Sequence, residues 1–292
     1  MIITGKKFSK PAMSRVINGD TELKGEEEKI PTTRLDLLLV QQHPEYNRSS
    51  LQKFIESGFV TVNGEVVRKS NLKFPEDSEI ILSVPATEKT TEKPPVIYED
   101  DNVIVLDKPA GLLSMAKGEY CPESTLEDFG LLVHRLDRDT SGVVILAKNP
   151  ETQTLLRKQF QDRKTHKTYY AIIEGRPKLD EAMIDLPIAR NLKHPTTFKV
   201  DAGGKPAQTY YKVLDSNDKF SLVELKPVTG RTHQLRVHLH YLGTPILGDR
   251  VYGSGTPAPR LFLHAGSLEI TIPEGNRQTF TSELPKEFRN VF

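Results

Sequence analysis

A chain of 292 residues with 40 basic and 39 acidic side chains carries a formal charge of +1, so no global charge excess identifies a partner. At 37% apolar and 27% charged residues the composition is that of a globular protein, and no run approaches the roughly eighteen apolar residues of a membrane helix. One cysteine, Cys121, excludes an internal disulfide and a cysteine-based zinc site, and its neighbours Glu119 and Glu123 would raise rather than lower its pKa. Met1 to Lys10 lacks the apolar core of a signal peptide, so a cytoplasmic protein is expected. The length exceeds the commonest single-domain size, and two domains are expected.

Residues 1–30 show no apolar period and read as an N-terminal arm. Helical spacing begins at Thr33, where Leu35, Leu38 and Leu39 share a face and Thr32 or Thr33 offers an N-cap. A second helix takes Ser49 or Ser50 as its cap, Leu51, Phe54 and Ile55 as its apolar face, and Gly58 as its stop. Asn63-Gly64 between Val60-Thr61-Val62 and Glu65-Val66-Val67 is a two-residue hairpin signal, and Glu79 to Val84 adds a strand. Residues 31–84 thus form one small α/β unit. Residues 85–95, PATEKTTEKPP, are a semi-extended linker.

From residue 96 to 292, strands outnumber helices. Short strand patterns cover Val96 to Tyr98, Asn102 to Leu106, Val143 to Ala147, Tyr169 to Ile173, Gln208 to Leu214, Phe220 to Leu225 and Leu268 to Ile272. Helical patterns cover Glu151 to Arg163 and Thr232 to Leu242. Because the two types do not alternate regularly, the expected class is α+β, built on a mostly antiparallel mixed sheet.

The densest chemistry lies in Val133 to Lys148, VHRLDRDTSGVVILAK, where His134, Arg135, Asp137, Arg138 and Asp139 sit between two apolar runs. Strands on either side would hold such a loop rigidly, although its composition alone favours a turn of two salt bridges. Arg157, Lys158, Arg163, Lys164 and Lys167 fall close together with only Asp162 opposing them, which makes a local basic face for phosphate. His233, His238 and His240 are close in sequence, but no carboxylate joins them nearby and no metal site is assigned. Motifs for nucleotide phosphates, a serine elbow, zinc hydrolysis or dinucleotides are absent.

HRLDRDTSG resembles the central motif of the RluA family of RNA pseudouridine synthases. Lys108-Pro109-Ala110-Gly111, Lys167-Thr168-Tyr169 and Gly230 to His238, GRTHQLRVH, resemble three further family motifs in the same order. The two helices and hairpin of residues 31–84 resemble the small RNA-binding module that a small-subunit ribosomal protein shares with bacterial tyrosyl-tRNA synthetases.

The first resemblance implies an isomerase that converts uridine to pseudouridine in structured RNA, needs no cofactor and acts through Asp137. Whether Asp137 attacks the sugar or abstracts a proton from it stays open, as does the choice between large-subunit ribosomal RNA, the leading substrate, and tRNA. By the same resemblance Arg236 is the cation that keeps Asp137 ionised, with Arg231 as the alternative, and Tyr169 stacks on the uracil and removes the proton from carbon 5. Leu235 walls the base and Arg135 enters the RNA as the base flips. Lys108, Lys164, Lys167 and Arg231 hold phosphates. The second resemblance adds Arg34, Arg48 and Lys53 as RNA contacts, together with Arg68 and Lys69. DNA and membrane are not expected partners, and a monomer is expected. Leu112 to Val133 is shorter than the family pattern and lacks its Arg-Pro-Gly, which bears on one rim of the cleft. Two other classes compete: an RNA-binding assembly factor without catalysis, and a hydrolase of free nucleosides.

Overall fold

The computed structural model describes residues 31–84, 92–116, 124–253, 255–275 and 277–292. The expected N-terminal arm, residues 85–91 of the expected linker, and Cys121 lie outside the described residues.

The small unit runs β1 (Thr32–Arg34), α1 (Leu35–Gln42), α2 (Arg48–Ser57), β2 (Val60–Val62), β3 (Glu65–Val66), β4 (Lys73–Pro75) and β5 (Ile80–Leu82). Its core is the face expected from helical spacing, with Leu35, Leu39, Leu51, Phe54 and Ile55 buried against Val60 and Val62. Each such side chain contributes about 1.5–3 kcal/mol of transfer free energy. Asn63 (φ 52°) and Gly64 (φ 84°) form the tight hairpin turn, and Gly58 (φ 83°) ends α2 in the left-handed conformation. The caps differ from expectation. Thr32 and Thr33 pair with Pro75 and Phe74 as strand residues, which leaves Arg34 as the N-cap of α1. Asn47 rather than a serine caps α2, its side chain accepting from the Ser50 amide.

The larger unit runs β6 (Val96–Glu99), β7 (Val103–Lys108), β8 (Leu131–Leu132), β9 (Ser141–Ala147), α3 (Pro150–Gln161), β10 (His166–Glu174), β11 (Glu181–Asp185), β12 (Ile188–Arg190) and β13 (Phe198–Val200). It continues with β14 (Gln208–Ser216), β15 (Phe220–Pro227), α4 (Gln234–Tyr241), β16 (Leu263–Thr271), β17 (Arg277–Thr281) and α5 (Lys286–Arg289). Among the described residues one sheet has the order β11-β14-β15-β10-β16-β9-β7-β6, with β17 on β16 and β8 on β9. Only the β16–β9 pairing is parallel, so the sheet is mixed and mostly antiparallel.

Every residue of β9 is buried. Val143, Ile145 and Ala147 face Leu156 of α3 and Leu268 and Ile270 of β16, whereas Val144 and Leu146 face Ile104, Leu126 and Leu136. Cover on both faces explains why β9 reads as an unbroken apolar run. Gly142 (φ 110°) begins it where a Cβ would lie 2.2 Å from the Ala265 carbonyl oxygen, so no side chain fits at that crossing.

Candidate active site

The HRLD loop, residues 133–140, leaves β8 and enters β9 against Lys108 to Ser114. Ser114 Oγ donates to the Leu136 carbonyl at 2.7 Å and accepts from its amide at 3.1 Å. The Gly111 amide donates to the Arg138 carbonyl, and Arg138 Nε returns a bond to the Gly111 carbonyl. Lys108 lies at 0% exposure, and its Nζ donates to the carbonyls of Pro109, Arg138 and Thr140 at 3.1, 2.8 and 2.7 Å. Burial pulls its ammonium down to about 7, against the opposing charges of Asp139 and Asp137. The expected phosphate contact is therefore corrected: Lys108 ties the loop together from inside and presents no charge to RNA. Lys108→Met takes that donor from the carbonyls of Pro109, Arg138 and Thr140, the last of them buried, and we expect a loss of about 2–4 kcal/mol in the urea unfolding free energy of the whole chain.

Asp137, 19% exposed at its side chain, projects from this loop toward α4. Arg236 Nη1 donates to Asp137 Oδ2 at 3.2 Å, while Nε and Nη2 grip Asp249 Oδ2 and Oδ1 at 2.7 and 2.8 Å. The guanidinium carbon stands 5.1 Å from the Tyr252 ring centre. Burial opposes the charge on Arg236, but Asp249 and Asp137 outweigh it and hold the guanidinium above its ordinary value. Burial likewise raises Asp249, and the bond to Arg236 outweighs it, with the Val251 and Tyr252 amides adding to a net lowering. One arginine shared by two carboxylates is thus a fixed cation.

α4 is held in place by Gln234, whose Oε1 accepts from Thr229 Oγ1 and the Arg231 amide and whose Nε2 donates to the Gln208 carbonyl and Thr209 Oγ1. Behind it, buried His238 contacts Thr209 Oγ1 and the Leu186 carbonyl, so two of the three clustered histidines have separate structural partners or exposure: His238 inward, His240 at the surface.

A cavity of about 490 Å³ opens above the Asp137–Arg236 pair. Asp137, Tyr169, Leu235, Arg236, Arg135 and Arg231 line it, and Lys167 stands at its edge with its Nζ 5.9 Å from the Phe160 ring centre. This is the size of a small-ligand site. Tyr169 follows a bulge in β10 against β16 and packs at the seam of two apolar clusters. Burial, with Asp137 adding to it, pushes its phenol above the ordinary tyrosine value. Tyr170, on the opposite face, lies against Gly266.

Seven of the residues singled out from sequence stand away from this cavity, Arg68 and Lys69 of the small unit among them. Lys108 is interior. Lys164 is exposed beside Asp162 and lines nothing here; its neighbours Arg163 and Thr165 do. Arg34 and Arg48 both bind Asp36, which is fully buried. Burial raises that carboxyl, but bonds from Arg34, Gln52 and Arg48 bring it down to about 2, so these arginines brace the small unit's helices as well as facing solvent. Lys53 is exposed on α2. Conversely, His134 and His233 line the cavity and Asp249 and Tyr252 support it without having been singled out as site residues, and Arg163 of the basic face lines it too. His134 stacks on Phe160 at 4.6 Å and accepts from the Ile145 amide; burial and then Lys167 push its imidazole to about 3, so it is neutral.

Residues 102–241 match the RNA pseudouridylate synthase family model, and residues 33–80 match the S4 domain model. The chain is 37% identical to the ribosomal large subunit pseudouridine synthase D of Borreliella burgdorferi, over 87% of each chain. It is 42% identical to the dual-specificity RNA pseudouridine synthase RluA of Escherichia coli, over 66% of this chain and 93% of that one. Among solved structures, the human RNA pseudouridylate synthase domain containing 1 superposes with a TM-score of 0.57 at 28% identity, over 64% of this chain and 82% of that one. Two RNA-directed segments in sequence and a mixed sheet of the synthase type converge on one assignment: this chain belongs to the RNA pseudouridine synthases of the RluA family, isomerases acting on RNA, and carries an S4 domain ahead of the synthase domain.

Proposed function

We propose that this enzyme modifies a uridine of large-subunit ribosomal RNA in the cytoplasm, working as a monomer and not on DNA, with Asp137 as its catalytic carboxylate. The observation that carries the chemistry is the ion pair of Asp137 with Arg236 at 3.2 Å on the floor of the cavity. Breaking the bond between ribose and nitrogen 1 develops positive charge on the sugar, which an ionised carboxylate stabilises or captures. Arg236 supplies the countercharge to that carboxylate in a partly enclosed place.

Tyr169 and Leu235 then sandwich the uracil. As a proton acceptor for carbon 5, Tyr169 needs its phenolate, which burial and the Asp137 charge both oppose in the free enzyme. Once Asp137 has bonded to the sugar or taken up a proton, that opposing charge is gone. The acceptor role therefore belongs after bond cleavage. Arg135, exposed at the cavity's rim, fills the stack that the flipped uridine leaves. Arg231 and Lys167 meet flanking phosphates, and the S4 domain, with Lys53 exposed and Arg34 and Arg48 half-free, grips RNA further along.

The ribosomal assignment rests on extent. Similarity to the ribosomal large subunit synthase covers 87% of this chain and so reaches both parts, while similarity to the dual-specificity synthase covers 66% of it. Pseudouridine mapping of ribosomal and transfer RNA from cells lacking the protein tests it. Loss of a large-subunit site, restored by the wild-type gene, is the expected result; loss confined to tRNA would overturn the ribosomal assignment.

A further inference from the structure

His233 is the residue whose geometry the reaction outlined above does not use. It is the N-cap of α4 in the left-handed conformation (φ 55°, ψ 19°), an uncommon state for a residue with a side chain. That backbone directs the imidazole into the cavity, between Phe198 and Tyr252, each edge-on with ring centres 5.6 Å away. Its Nδ1 lies 2.7 Å from Tyr252 Oη, and the Phe198 amide donates to the same Oη at 3.0 Å. An amide can only donate, so Oη accepts there, and its own hydrogen, turned to the adjacent Nδ1, gives both groups a partner when His233 carries its proton on Nε2. The remaining hydrogen of a neutral imidazole is then on Nε2. Nε2 faces Asp137 Oδ1 at 4.0 Å, on the oxygen that Arg236 does not hold. Burial favours the neutral ring, Asp137 pulls the other way, and the Arg236 charge sides with burial.

We propose that His233 is a positioning residue for Asp137, aimed by Tyr252, which completes a directed chain of donors: Phe198 N–H to Tyr252 Oη, Tyr252 O–H to His233 Nδ1, His233 Nε2–H to Asp137 Oδ1. The inference rests on the catalytic reading of Asp137 above. In the free enzyme the last link exceeds hydrogen-bond length; a side-chain shift of about 1 Å on RNA binding closes it. Arg236 on one oxygen and His233 on the other then fix the plane of the carboxylate, and a fixed nucleophile or base is worth about 10²-fold in rate over one misplaced by 1 Å. Because Phe198 begins β13, the chain also ties the β12–β13 hairpin to the reacting group.

Two substitutions test this in the full chain. Tyr252→Phe keeps the ring against Arg236 and removes only Oη. His233→Asn suits the left-handed backbone but is too short to reach Asp137. Both are compared with wild type and Asp137→Asn in single-turnover reactions of excess enzyme with total RNA from cells lacking the protein, alongside filter-binding affinities for the same RNA. The expected chemical rates fall about 10-fold for Tyr252→Phe and about 100-fold for His233→Asn. The double variant matches His233→Asn within about threefold, and affinity moves less than about threefold in all. Wild-type rates in both single variants, multiplicative losses in the double, or losses confined to affinity would each overturn the positioning role. An active Asp137→Asn would instead remove the catalytic reading beneath it.

Discussion

Asp137→Asn is expected to abolish pseudouridine formation, by about 10⁴-fold or more, with RNA affinity within about threefold of wild type. The substitution is nearly isosteric, and the Asn carbonyl oxygen can still accept from Arg236 Nη1, so the cavity keeps its shape. What disappears is the charge. An amide neither captures nor stabilises the developing sugar cation as a carboxylate does, and it cannot serve as a base for a sugar proton. Arg236 retains its two bonds to Asp249, so the loss in melting temperature is small. Asp139, two residues on and exposed, gives the control: Asp139→Asn lowers the rate by no more than about fivefold. Tritium released from RNA carrying 5-tritiated uridine, followed with enzyme in excess, reads both variants. Asp137→Asn within tenfold of wild type would show that another group does the chemistry.

The parts of this molecule that were legible in the sequence are those specified by neighbours in sequence. The hairpin at Asn63-Gly64 is dictated by two residues whose positive φ is tolerated there, and the helix stop at Gly58 by one. β9 announced itself because burial on both faces demands an unbroken apolar run. Asp137, Tyr169 and Arg236, which the motifs single out in three separate parts of the chain, line one cavity. What stayed hidden depends on partners distant in sequence. Lys108 reads as a phosphate ligand through its motif's resemblance; its three carbonyl partners include Arg138 and Thr140, about thirty residues away. Thr32 and Thr33 are good caps that lost to a strand pairing with residues 74 and 75. Asp249 and Tyr252 stand in a short turn without periodic signal, and only folding brings them under Arg236. β11, β12, β13 and β17 escaped for a similar reason. Their polar, alternating residues acquire strand geometry from the partners they pair with.

Arg236→Met is expected to lower stability by about 3–5 kcal/mol and the single-turnover rate by about 10³-fold, and a second substitution separates these effects. Removing the guanidinium leaves Asp249 buried with no countercharge, at 1% exposure, and Asp137 without its ion-pair partner. Asp249→Asn in the same chain removes the stranded charge yet keeps an oxygen for the Val251 and Tyr252 amides. The double variant therefore recovers about half of the lost stability in urea unfolding. It recovers none of the rate, because Asp137 still lacks its partner. If rate returned together with stability, Arg236 would be a prop for the turn at Asp249 rather than the cation of the reaction, and the 3.2 Å contact with Asp137 would carry no chemical weight. Arg236→Lys sharpens the choice: a lysine supplies charge but cannot bind Asp249 at two points and Asp137 at a third, so a rate between those of Met and Arg is the expected result.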